Sequence, residues 1–105
     1  MKREFFNKCK SHIFRKASEV MRRKEAEYFS EEDVLGNLRK IASFRTKETP
    51  EAIMTLLAKP LVSISDMVNN EKDHLDPFPM DAWDEKFVDS INYLLKLYAS
   101  IRENR

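Results

Sequence analysis

WDEKFVDSINYLLKLYASI, residues 83–101, decides the fold. Trp83, Phe87, Ile91, Leu94, Tyr98 and Ile101 recur at steps of three and four. That spacing predicts a helix from about Asp81 to Ile101 with this stripe in the core. Leu95 and Val88 widen the stripe enough for burial from two sides. Beside it, Glu85, Asp89, Asn92 and Lys96 step by four, three and four, so they share a narrow polar face.

Three more helices are legible upstream. Thr49-Pro50-Glu51 is a start signal: a cap, a proline at the first helical position, then an acid in the first turn. The helix it opens should reach about Asn70 and bury Ile53, Leu56, Leu57, Leu61, Ile64 and Val68. Pro60 falls in its middle, where a missing N–H predicts a kink. Ser30 with Asp33, assisted by Glu31 and Glu32, reads as the cap of a helix running to about Phe44. Val34, Leu35, Leu38, Ile41 and Ala42 would be its buried face, and Gly36 would lie inside it. The first helix should span about Glu4 to Tyr28, with Phe6, Cys9, Ile13, Ala17, Val20 and Met21 as its apolar stripe. Asn69 to Met80 is a polar connection stiffened by Pro77 and Pro79.

The expected fold class is therefore all-α, a four-helix bundle in one domain spanning 1–105, with the third helix kinked. One glycine in 105 residues leaves few positions for hairpin turns, and 42% hydrophobic with 35% charged residues is a globular balance. No stretch approaches transmembrane length, and MKREFFNKCK lacks the apolar run of a secretion signal. Cys9 is the only cysteine, which excludes an internal disulfide and a Cys-rich zinc site and fits a reducing cytoplasm. His12 and His74 stand too far from other candidate ligands in the sequence to suggest zinc or a catalytic dyad.

Net charge is only +1, but it is unevenly spread. Residues 1–25 carry a net of +6, and residues 70–92 a net of −5. Either the two regions attract each other within the fold or across a dimer, or a basic surface for phosphate or nucleic acid faces an acidic, metal-holding cluster. Polar stripes recur on the third helix (Lys59, Ser63, Asp66, Asn70) and the second (Asp33, Asn37, Lys40). Converging inside a bundle, acid–amide–lysine stripes suit Mg²⁺, which takes one or two carboxylates with water and phosphate oxygens. Lysine adds a point charge for phosphate.

EAEYFSEEDVLGNLRKIA, KPLVSISDMV and WDEKFVDSINYLLKLYASI resemble small phage-encoded helical proteins grouped with the MazG-like, all-α nucleotide pyrophosphohydrolases. The resemblance spans about residues 20–102, and its most specific piece is Glu85-Lys-Phe-Val-Asp89-Ser-Ile-Asn92-Tyr93. It implies Mg²⁺-dependent cleavage of a nucleoside triphosphate to monophosphate and pyrophosphate. Glu85 and Asp89 would then be catalytic metal ligands, joined by Asp66. Asp33, Asn37, Lys59, Ser63, Asn92 and Lys96 would bind the nucleotide, and the chain would be a homodimer. Glu85 and Asp89 would share one cleft with Lys59 and Asp66. The reading from another class is a non-enzymatic phage or bacterial protein that binds a host protein or nucleic acid through its basic first helix. Stripes meeting in one cleft would favour the nucleotide, and stripes splayed outward the host partner.

Overall fold

The computed structural model describes residues 1–28, 33–45, 47–73 and 76–105. Four helices account for nearly all of them: α1 (Arg3–Tyr28), α2 (Gly36–Phe44), α3 (Thr49–Lys72) and α4 (Met80–Glu103). No strand occurs among the described residues, so the all-α, four-helix expectation holds.

Local chemistry explains the helix ends. Pro50 sits in the first turn of α3, where its missing N–H is one that no helix can satisfy, and Glu48 rather than Thr49 takes the cap position. Pro79 caps α4 with an extended backbone, and the helix begins at Met80, one residue upstream of the expected start. Ahead of α2, Asp33 folds a turn on itself: its carboxylate accepts the Leu35 N–H at 3.0 Å and its carbonyl accepts the Gly36 N–H at 3.1 Å. Gly36 is thus the first residue of α2 rather than an interior one. A Cβ there would meet the Asp33 side chain at an ordinary 3.8 Å, so neither a close helix crossing nor a ligand is needed to explain it. The capping role assigned to Ser30, with Glu31 and Glu32, lies outside the described residues. α3 is helical straight through Pro60, which is buried and offers no N–H to the Leu56 carbonyl.

The main interface is α3 against α4, with α1 laid on α4 and α2 on α3. Trp83 Nε1 donates to Glu71 at 3.2 Å near the connection, while Tyr93 and Leu97 pack on the cluster of Leu35, Leu38 and Ile53 at the other end. The α3–α4 pair is therefore antiparallel. Phe78 stands edge-on to Trp83 and holds the connection to the bundle.

Burial departs from the apolar periodicity in three places. On α3, Pro60 and Met67 are buried, while Leu61 and Val68 face solvent. On α4 the buried residues are Asp84, Val88, Ser90, Asn92 and Ser100. Phe87, Leu94, Leu95, Tyr98 and Ile101, expected in the core, are all exposed. On α1 Ala17 alone is buried among the described side chains, and Phe6 and Cys9 are exposed, as is Val34 ahead of α2. α4 has neighbours on two flanks, and its small and polar residues allow that close packing.

Ile53 is the centre of the core, with no exposed surface. Ile53→Ala is expected to lower stability by about 2–4 kcal/mol in urea unfolding. Phe44→Ala, at a side chain 89% exposed, is expected to change it by less than about 0.5 kcal/mol.

Candidate functional site

α1 meets α4 through charge. The buried Asp84 carboxylate accepts from His12 Nε2 at 2.8 Å and from Lys16 Nζ at 3.0 Å, both at the same oxygen. Lys16 also stands 3.9 Å from the exposed Asp81. His12, isolated in the sequence, is thus a structural partner of Asp84, sixty-eight to seventy-two residues of chain being bridged at this point. The signal was present as acids three and four apart at 81, 84 and 85 and cations at the same helical spacing in the first helix.

One turn further along, a cleft of about 310 Å³ opens between the same two helices. Asp81, Glu85 and Asp89 line it from α4, and Lys16, Arg23 and Lys24 from α1, over a floor of Val20 and Val88. Glu85 and Asp89 therefore do share a cleft, but with the cations of α1. Lys59 and Asp66 do not line it; both are exposed on α3, where Ser63 is half-buried. Asn70 donates to the Asp76 carbonyl at 3.2 Å and so serves the connection. The stripes of α3 and α4 do not converge.

The other end of the α4 stripe enters a second cleft, of about 540 Å³, where Lys96 and Asp33 come together with Leu95 and Glu103. Burial holds the Lys96 ammonium below its ordinary pKa, Lys24 of α1 adds to this, and Glu25 opposes it. Asp33 is bound by Arg39 at 2.9 Å, which holds its carboxyl below the usual range. The same guanidinium reaches Glu103 at 2.6 and 2.8 Å, clamping α2 to the end of α4. Asn37 is exposed on α2.

Asn92 falls between Asp89 and Lys96 along α4 and lines neither cleft. It is buried, and its Oδ1 has no hydrogen-bond partner among the described residues. Helical spacing puts it one turn after Asp89 on the same side of α4. Burial raises the pKa of the neighbouring Tyr93, and Asp89 adds to this.

Glu85, Asp89 and Asn92 offer oxygen donors only, the type taken by Mg²⁺, Ca²⁺ and Mn²⁺. No three His, Cys, Asp or Glu side chains gather into a cage among the described residues. Mg²⁺ is commonly held by one or two carboxylates with water and phosphate oxygens, and Glu85, Asp89 and the orphaned amide oxygen are hard oxygen donors of that type. Comparison with protein-family models, curated proteins and solved structures finds no match for the chain. No described helix is long and apolar enough to cross a membrane.

The His12 hydrogen bond is the largest cause holding the Asp84 carboxyl below its ordinary range; burial opposes it and Lys16 adds to it. A carboxyl whose pKa is depressed on folding contributes stability above its unfolded value, lost as pH falls through the folded one. Thermal melts from pH 7 down to pH 3 are expected to show that loss below about pH 4. Asp84→Asn is expected to lower stability at pH 7 by on the order of 1–3 kcal/mol and to flatten the acid limb.

Proposed function

We propose that the chain is a homodimeric, Mg²⁺-dependent nucleotide-binding protein whose ligand lies in the α1–α4 cleft. Hydrolysis of a nucleoside triphosphate to monophosphate and pyrophosphate is the reaction this donor set fits. The observation that carries the reading is the cleft itself, where Glu85 and Asp89 of α4 stand across from Lys16, Arg23 and Lys24 of α1. Asn92 follows on the same side of α4, and its buried Oδ1 has no hydrogen-bond partner among the described residues.

Glu85 and Asp89 are one turn apart, and their like charges repel unless a cation lies between them. Mg²⁺, when bound, supplies charge to neutralise phosphate oxygens and lowers the pKa of a water. The chain does the rest. Lys16, Arg23 and Lys24 take the phosphate contacts that the resemblance assigned to Lys59, Asp89 and Glu85 hold the cation, and Asn92 orients the ligand. Lys96, in the adjoining cleft with Asp33, contacts the far end of the nucleotide.

Two observations favour a second reading, capture of an acidic host protein or nucleic acid: the α3 stripe stays out of the α1–α4 cleft, and the first half of α1 is basic and exposed. Residues 1–12 are exposed all round, and Phe5, Phe6 and Phe14 stand in solvent among Lys2, Arg3, Lys8 and Lys10. A basic helix with exposed aromatics suits an acidic groove.

Thermal-shift measurements with nucleoside triphosphates separate the two. Under the nucleotide reading, ligand at a hundred times its Kd raises stability by about 2.7 kcal/mol, a shift of roughly 10 °C or more for a domain this size, only when Mg²⁺ is present. Asp89→Asn is expected to abolish that shift while leaving the protein without Mg²⁺ as stable or slightly more so. No shift with any triphosphate, together with double-stranded DNA or acidic-peptide binding that Lys8→Glu and Lys10→Glu weaken, would establish the second reading instead.

A further inference from the structure

Helix α1 outruns the helix that covers it. Lys16 meets Asp84, and Lys24 and Glu25 stand near Lys96, so α1 and α4 run in the same direction. α4 begins at Met80, one turn ahead of Asp84, and the first turns of α1 therefore overhang its start. The apolar stripe of α1 does not stop there. It continues from Ala17, which is buried, through Ile13, which is half-buried, to Cys9 and Phe6, which are exposed. One face of one helix thus loses its cover where its neighbour runs out.

At this end of the seam a hollow of about 490 Å³ opens between the two helices. Phe6, Ile13 and Phe14 line it from α1, and Met80 and Phe87 from α4. Phe6 and Ile13 are seven residues apart, as are Met80 and Phe87, which is two helical turns or about 10.5 Å on each wall. The hollow is not enclosed. Phe6, Phe14 and Phe87 are each about half exposed and Met80 more so, which makes it a groove open to solvent along one side. A helix laid between two helices fills that shape, with large side chains one and two turns apart pointing inward. A flat membrane surface does not enter a concave seat.

Charge narrows the occupant further. Lys8 and Lys10 line the same hollow. Residues 1–15 hold five Lys/Arg against one acid, Glu4. Lys2, Arg3, Lys8 and Lys10 have no acidic partner among the described residues. Asp84, at the hollow, is already taken by His12 and Lys16. A basic partner would meet these cations with nothing to offset them. Nucleic acid would satisfy them, but aliphatic Ile13 and Met80 stand among the rings, and a base gains little stacking there. An acidic helix with apolar anchors matches both the lining and the rim.

We propose that this hollow seats an acidic, amphipathic helix of another protein. Its large apolar residues lie between Phe6 and Ile13 on one wall and Met80 and Phe87 on the other, and its carboxylates face Lys8 and Lys10. The inference rests on the second reading above and names the partner's chemistry and its seat. The charged cleft is lined by different residues, so nucleotide binding there is compatible with it.

Fluorescence anisotropy of labelled, stapled helical peptides against the full chain tests the seat and the charge separately. One peptide carries Leu and Phe one and two turns apart on one face, with Glu on both flanks. The other has the same composition with its apolar residues dispersed around the helix. The wild type is expected to bind the first at least about 10-fold more tightly than the second. Phe6→Ser and Phe14→Ser replace side chains more than half exposed, so circular dichroism should show the fold kept while binding weakens about 10-fold. Lys8→Glu with Lys10→Glu is expected to weaken binding at least as much, and added salt to weaken it in the wild type. Equal binding of the two peptides, or full binding by Phe6→Ser and Phe14→Ser while the lysine variant loses it, would overturn the seat and leave the basic surface standing. Binding of DNA in place of both peptides would overturn the acidic helix and keep the second reading in its nucleic-acid form. Binding of neither peptide nor DNA would overturn the second reading together with the inference.

Discussion

Helix α4 is gripped on two flanks, and the rest of the molecule follows from that constraint. Along one flank Asp84 binds His12 and Lys16 of α1. Along the other Trp83 binds Glu71 of α3, and Tyr93 and Leu97 close over the cluster centred on Ile53. A helix pressed from two sides needs small side chains at the contacts and partners for any polar atom it buries. Ser90 turns its hydroxyl back to the Lys86 carbonyl at 2.8 Å, and Asp84 takes two donors. Asn92 Oδ1 has none among the described residues.

The polar nature of the α1 contact shapes the uneven charge of the chain. Part of the basic excess of residues 1–25 is matched inside the fold by the acidic stretch, through Lys16 with Asp84 and Asp81. The remainder divides. Arg23 and Lys24 face Glu85 and Asp89 across the cleft, and Lys2, Arg3, Lys8 and Lys10 are carried into solvent on the projecting start of α1. Attraction within the fold thus accounts for the Lys16 turn of α1, while the remaining cations of that helix stand at the cleft or in solvent.

Helix number, type and ends were legible because each depends on local chemistry. Thr49-Pro50-Glu51 marks a helix start whatever packs against it, and one glycine leaves little room for hairpins. The direction each helix faces was not legible. Apolar periodicity gives the angular position of a stripe, but a stripe built for a core and one built for another molecule have the same spacing. Phe87, Leu94, Tyr98 and Ile101 face outward in this chain, and the truly buried Asp84, Asn92 and Ser100 were hidden by their polarity. On α3, Leu61 and Val68 competed with Pro60 and Met67 one position away, and a run rich in apolar residues does not discriminate. The candidate site divides in the same way. That Glu85, Asp89, Asn92 and Lys96 share a face is helix geometry and holds. Which helix lies opposite is tertiary information, so the cations of α1 replaced Lys59 and Asp66.

The seam between α1 and α4 has two unlike parts, and Asp84 divides them. On one side of it, Asp81, Glu85 and Asp89 face Lys16, Arg23 and Lys24 in the charged cleft. On the other, Met80 and Phe87 of α4 meet Phe6, Cys9, Ile13 and Phe14 of α1 around an apolar hollow of about 490 Å³. Asp84 takes His12 and Lys16 between them, so this buried ion-paired contact fixes where each part begins. An apolar contact alone would let α1 slide or turn along α4, because such contacts have little directional preference. Two donors on one carboxylate oxygen do not, and the register they set decides which cations of α1 stand opposite Glu85 and Asp89.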